Sequence, residues 1–156
     1  MSTIQTDPTP TGPSATASSA SLPTALHLVT PDKMNAAWPL IEREIKSALD
    51  RDGLYGPEHV KHWVERGTHQ LWIAGSKRLG IEALAITEML RHPNGQVINF
   101  WLCTGKDPSR WLVHKEKIEA WAKEMGCIRS LIHARKGWAR HLRDYKLTHV
   151  VLEKSL

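Results

Sequence analysis

Gln70–Ala74 (QLWIA), Ala83–Leu90 (ALAITEML) and Gln96–Thr104 (QVINFWLCT) follow one another with short breaks at Gly75-Ser76-Lys77 and His92-Pro93-Asn94-Gly95. β-Branched and aromatic residues dominate the runs, and Pro-Asn-Gly between the second and third is a hairpin signal. The three runs therefore predict an antiparallel meander. After Gly105 the period changes. Trp111, Ile118, Ala122 and Met125 recur on one helical face between Pro108 and Met125, and Gly126 stops that helix. A strand at Cys127–Ala134, a short basic helix at Lys136–Tyr145 and a last strand at Leu147–Leu152 follow. Upstream, Ala25–Thr30 reads as a first strand, and Thr30-Pro31-Asp32 starts a helix running to Asp50. Its apolar residues Met34, Trp38, Ile41, Ile45 and Leu49 lie three or four apart. A second helix follows Pro57, with Val60, Trp63 and Val64 on its buried side, and ends at Gly67. The expected order is β-α-α-β-β-β-α-β-α-β.

A chain of 156 residues suits one core. Residues 1–24 are nearly all Met, Ser, Thr, Pro, Ala and Gly, too poor in apolar surface to offset their conformational entropy, so they predict a disordered or extended arm. Residues 25–156 then form one domain. Two cysteines, Cys103 and Cys127, make neither a disulfide framework nor a four-ligand zinc site. No apolar run reaches the roughly 20 residues of a membrane span, and no signal peptide is expected. The positive charge is uneven. Residues 1–104 carry nine Lys/Arg against ten Asp/Glu, whereas 105–156 carry twelve against six, so an anionic partner is expected to meet the last third.

The element order, with QLWIA, ALAITEML, FWLCTG, IEAWAKEMGC and GWARHLRDYKLTHVVLEKSL as its wording, resembles the GNAT N-acetyltransferases, most closely the small GNAT-like proteins encoded among virion genes of tailed bacteriophages. The resemblance spans about Ala25 to Leu152. It implies an α/β (α+β) fold with a mixed, mostly antiparallel central sheet flanked by helices. In that family the acyl-coenzyme A pyrophosphate sits at the N-terminus of the helix after the fourth strand, where unpaired N–H groups and the positive end of the dipole face it. The family signature there is Arg/Gln-x-x-Gly-x-Gly/Ala. Here the text is Thr104-Gly105-Lys106-Asp107-Pro108-Ser109-Arg110-Trp111, with one glycine, an aspartate where phosphate belongs and a bulky tryptophan. Gly105, Lys106 and Arg110 remain the candidates for phosphate, and the strand Asn99–Cys103, with Asn99 and Cys103 as candidate residues, for the pantetheine slot.

Acyl transfer to an amine also needs a base, and Glu88, a carboxylate on a mostly apolar strand, is the candidate. The family's acid, a tyrosine on the last helix, has no match: Arg143 follows Leu142, and Tyr145 comes two residues later. His59 and His62 have metal-ligand spacing but no third ligand, and Cys103 reads as a small buried hydrophobe. Trp38, Trp63, Trp111 and Trp121 lie within helices, where core or subunit packing explains them. Arg135, Lys136, Trp138, Arg140 and Arg143 form a basic, aromatic-interleaved segment suited to non-specific nucleic-acid or acidic-partner contact. The departures at the phosphate turn lead to the expectation of a non-catalytic GNAT-fold component of a phage particle. It would assemble as an oligomer with other virion subunits through its arm and Trp-rich surfaces, in the host cytoplasm and then the virion, with no cofactor, metal or membrane contact. The alternative is an acetyl-CoA-dependent N-acetyltransferase acting on an amine.

Overall fold

The computed structural model describes residues 24–156, so the expected arm, apart from Thr24, lies outside the described residues. The chain runs through β1 (Ala25–Val29), a 3-10 turn (Pro31–Lys33), α1 (Met34–Leu49), α2 (Pro57–Glu65), β2 (His69–Ser76), β3 (Gly80–His92), β4 (Gly95–Gly105), α3 (Pro108–Glu124), β5 (Cys127–Ile132) and a second 3-10 turn (Lys136–Arg140). The five strands form one sheet in sequence order. β1 to β4 pair antiparallel, and β5 joins β4 in parallel because α3 carries the chain back across the sheet.

Period-two alternation sorts the strand side chains onto two faces. Leu71, Leu84 and Ile86 pack with Met34, Trp38, Ile41, Ile45, Val60 and Val64 of the first two helices. Trp72, Ala74, Ala83, Ala85, Ile98 and Phe100 pack with Trp111, Ile118 and Ala122 of α3. The apolar spacing read from α1 matches its buried set residue for residue. At the tip of the β2–β3 hairpin Gly75 is required, because a Cβ there would lie 2.3 Å from the Gly80 carbonyl oxygen.

The sequence expectation fails beyond β5. The expected helix Lys136–Tyr145 is a 3-10 turn over Lys136–Arg140, held by Trp138 N–H to the Arg135 carbonyl and His141 N–H to the Trp138 carbonyl. Gly137 weakens a helix there, and the side chains that follow are drawn elsewhere. Lys115, almost fully buried on α3, donates to Asp144 at 3.0 Å and to Glu119 at 3.1 Å, while the Tyr145 hydroxyl bonds Glu119 and Ser130. The expected strand Leu147–Leu152 does not form. Leu147, Val150, Val151 and Leu152 are exposed and paired with no strand. An alternating pattern becomes a strand only where an edge accepts it.

Candidate functional site

Two features of the sheet create a site. The first is a bulge in β4: Ile86 pairs with Leu102 and Thr87 with Phe100, leaving Trp101 without a partner. One extra residue puts Trp101 and Leu102 on the same face, toward α1 and α2. The second is the end of the parallel ladder. β4 and β5 pair only as far as Phe100 and Ile132, after which β4 continues to Gly105 while β5 stops. The two chains part there around a cleft of about 140 Å³. Phe100, Trp101, Cys103, Trp111 and Ile132 give it apolar walls, Trp138 and Leu142 come from the basic turn, and Arg51, His133 and Arg135 stand at its exposed rim.

The turn leading into α3 is already occupied by its own side chains. Asp107 caps the helix, its Oδ1 accepting from the Ser109 N–H at 2.9 Å and the Ser109 hydroxyl at 2.7 Å. These bonds hold its carboxyl below the usual carboxylate range. Pro108 has no N–H, the Trp111 N–H turns to the Asp107 carbonyl, and the Lys106 N–H turns to the Glu82 carbonyl. Arg110 is ion-paired with Glu82. Gly105, Asp107, Pro108, Trp111 and Trp138 enclose a space of only about 20 Å³. Of the candidates for phosphate, Gly105 thus lies at a filled turn, Arg110 is engaged, and Lys106 is exposed.

The polar residues of the site lie in one row across three strands: His69 on β2 is in register with Glu88 on β3, which is in register with Asn99 on β4. Asn99 donates to Glu88 Oε1 at 2.8 Å, and His69 Nε2 is 3.4 Å from Glu88 Oε2. Asn99 therefore faces Glu88, on the face opposite Phe100 and Cys103. Trp63 stacks on His69 at 4.7 Å, and Tyr55, Trp63 and Trp101 pack edge to face with each pair of ring centroids 5.4 Å apart. Trp101 belongs both to this cluster and to the cleft. Burial pushes the His69 imidazole below its ordinary value, with Glu88 opposing in part. Burial pushes the Cys103 thiol far above the usual range, consistent with a packing residue and not a nucleophile.

No family model matches the chain, and no curated protein matches it in sequence. Among solved structures, an aminoglycoside acetyltransferase from an uncultured soil metagenomic sample aligns over 86% of this chain and 98% of its own, with a TM-score of 0.64 at 11% identity. A predicted acetyltransferase from Clostridium acetobutylicum, solved with acetyl-CoA, aligns over 85% and 96% at 0.57 and 13%. A ribosomal-protein-alanine N-acetyltransferase from Brucella melitensis biovar Abortus aligns over 85% and 100% at 0.53 and 11%. The fold is that of the GNAT acetyltransferases. The GNAT fold expected from the sequence thus stands, while nothing in these relatives points to a phage virion.

Sequence reasoning singled out Glu88 and Cys103 but put Asn99 beside Cys103 in the pantetheine slot, whereas Asn99 faces Glu88 on the other side of the sheet and does not line the cleft, and it did not single out His69, Tyr55 or Arg51. His69 was legible: two residues before Leu71, it shares the face of Leu71 and Ile73. Tyr55 and Arg51 lie in the α1–α2 connection, where no periodicity assigns a direction. Arg135, Lys136, Arg140 and Arg143 are exposed and make no ion pair among the described residues, whereas Trp138 turns into the cleft. His59 Nδ1 accepts from the Gly56 N–H at 2.9 Å, and among the described residues no group of His, Cys, Asp and Glu is placed to hold a metal ion. No helix of the described residues is long and apolar enough to cross a membrane.

Proposed function

We propose that the protein is an acetyl-CoA-dependent N-acetyltransferase acting on an amine. The observation that carries this reading is the parting of β4 from β5 after Phe100 and Ile132, which opens an apolar slot with a basic rim. The residues fit an acyl-coenzyme A in a particular way. Phe100, Trp101, Cys103 and Ile132 suit its apolar arm, and Arg51 and Arg135 suit its phosphates as side-chain cations. At the turn Gly105–Arg110 the Ser109 N–H is already held by Asp107, which favours these cations over the turn for the phosphates.

When bound, the thioester supplies an electrophilic acyl carbon. The chain's part is to exclude water with Trp101, Trp111 and Trp138, orient the acceptor, and take a proton from the attacking amine at a Glu88 carboxylate oxygen. Trp101 lines the slot with its ring 6.0 Å from that of His69, whose Nε2 faces Glu88, and this supports the reading of Glu88 as base. Tyr145, tied to Glu119 and Ser130, is no candidate acid.

Thermal unfolding with acetyl-CoA tests the reading. A Kd of about 100 μM stabilises by roughly 1.4 kcal/mol at 1 mM ligand, or about 4 °C for a chain of this size. No shift at about 5 mM ligand refutes it. One observation favours a second reading, a GNAT scaffold without chemistry: Asp107 stands where a phosphate would be bound. A protein that binds no coenzyme A yet assembles with partners through its arm, in a phage particle or elsewhere, would bear that out; the expected Trp-rich surfaces are not there to help, since all seven tryptophans are buried or half-buried.

A further inference from the structure

Positive charge and exposed apolar surface gather in one stretch of the chain. Residues 127–156 hold seven Lys/Arg against two Asp/Glu, which is the whole net charge of +5, and the rest of the chain balances at fourteen of each. Arg135 stands at the cleft rim. Arg129, Lys136, Arg140, Arg143 and Lys146 are exposed and make no ion pair among the described residues. Of the two carboxylates, Asp144 is already paired with Lys115 of α3. The cations are also held in place. Leu142 is buried and Trp138 turns into the cleft, which fixes the basic turn to the body of the domain while its charged side chains face water.

The same stretch then exposes a run of aliphatic side chains. Leu147, Val150, Val151 and Leu152 are 73–92% exposed, whereas a surface that faces only water scatters such residues singly. The start of the run is anchored: Asp144 is bonded to Lys115, and the Tyr145 hydroxyl to Glu119 and Ser130. Ile128 and Arg129, both exposed, immediately precede Ser130 on β5. Cations and aliphatics thus lie within a few residues of one fixed point.

Three kinds of anionic partner answer to such a charge, and the aliphatics choose among them. Nucleic-acid phosphates would take the cations and leave the four aliphatics in water. An acidic protein would need a formed apolar surface to match, and residues 147–156 form neither helix nor strand. A bilayer satisfies both features, because its anionic headgroups lie directly above acyl chains and no matching of shape is required. We propose that residues 127–156 dock the protein on an anionic lipid bilayer, the five cations at the headgroup phosphates and the four aliphatics among the upper acyl chains. The contact is peripheral. It needs no spanning helix, and the described residues hold none; the expectation of no membrane contact rested on that lack. Docking of this kind does not depend on whether the cleft binds acetyl-CoA.

The test is flotation of the full chain with vesicles of phosphatidylcholine alone and of phosphatidylcholine containing about 30% phosphatidylglycerol. The protein should bind the mixed vesicles and not the neutral ones, and the binding should weaken between about 0.1 M and 0.5 M salt. Two double variants separate the contributions. Arg140→Gln/Arg143→Gln removes charge and Val151→Ser/Leu152→Ser removes apolar surface, and each should lower the partition coefficient by about tenfold. All four positions are exposed, so the melting temperatures should stay at that of the unaltered protein. A single-stranded oligonucleotide serves as a phosphate polymer with no acyl phase, and Val151→Ser/Leu152→Ser should leave its binding unchanged. Equal binding to the two kinds of vesicle, binding to neither, or an unchanged partition in either variant overturns the proposal. Oligonucleotide binding without vesicle binding overturns it in favour of a nucleic-acid surface.

Discussion

Lys115→Met tests whether the buried ammonium on α3 holds the segment that carries the cleft residue Leu142. Lys115 is 2% exposed; its Nζ lies 3.1 and 3.2 Å from the two Glu119 oxygens, 3.0 Å from Asp144 and 4.8 Å above the Tyr145 ring. Asp144 and Tyr145 come two and three residues after Leu142, which is buried and lines the cleft. Methionine keeps the apolar stem, so the change removes the charge and little packing. The bond to desolvated Glu119 is worth roughly 1.5–3 kcal/mol. Asp144 is 63% exposed, so its pair is discounted to at most about 1 kcal/mol. The ammonium over Tyr145 contributes about 0.5–1 kcal/mol. Against these stands the relieved desolvation of a buried ammonium. A net loss of about 2 kcal/mol results, or a fall of roughly 6 °C in melting temperature by calorimetry.

The same variant carries a pH signature. The hydrogen bond from Lys115 holds the Asp144 carboxyl below its ordinary value. A carboxyl depressed in the folded state contributes stability above its unfolded value and loses it as pH falls through the folded one. The gap between wild type and Lys115→Met should therefore narrow below about pH 4. An unchanged or raised melting temperature in Lys115→Met would refute the reasoning, because burial of the charge would then outweigh the bonds it makes. Trp138 emission should shift to the red if the wall loosens.

Three further outcomes are expected. Asp107→Gly frees the N–H groups at the start of α3 and removes a negative charge there, so acetyl-CoA should bind more tightly by calorimetry while the helix start loses its cap; equal or weaker binding would mean the turn takes no part. Cys103 is half-buried in the cleft wall, and desolvation pushes its thiol far up, so iodoacetamide at about pH 8 should label it more slowly in the folded protein than after unfolding; equal rates, read by mass spectrometry, would contradict the raised thiol. His69 and His114 are both held below their ordinary values by burial, with Lys117 adding to the effect at His114. Their contribution to stability is complete above about pH 6.5 and is lost as pH falls through their folded values, so the melting temperature should be flat near pH 7–8 and decline toward pH 5. His114→Gln should flatten part of that slope.

The strands β1 to β5 and the helices α1 to α3 were legible in the chain. Periodicities of 2 and 3.6 are local consequences of backbone geometry and survive in one dimension. Glu88 also stood out along the chain, as a carboxylate on a mostly apolar strand, and so did Asp107, which caps α3. Only the tertiary structure decided which of these meet. Three strands in register turn His69, Glu88 and Asn99, up to 30 positions apart in the chain, into one row. An unpaired Trp101 places that row beside the cleft. The supposed last helix and strand failed for the complementary reason. Lys115 and Glu119 on α3 capture Asp144 and Tyr145, and no sheet edge accepts Leu147–Leu152. Hydrogen-bond partners distant in sequence determine such outcomes, and a pattern read along the chain carries no information about where those partners will be.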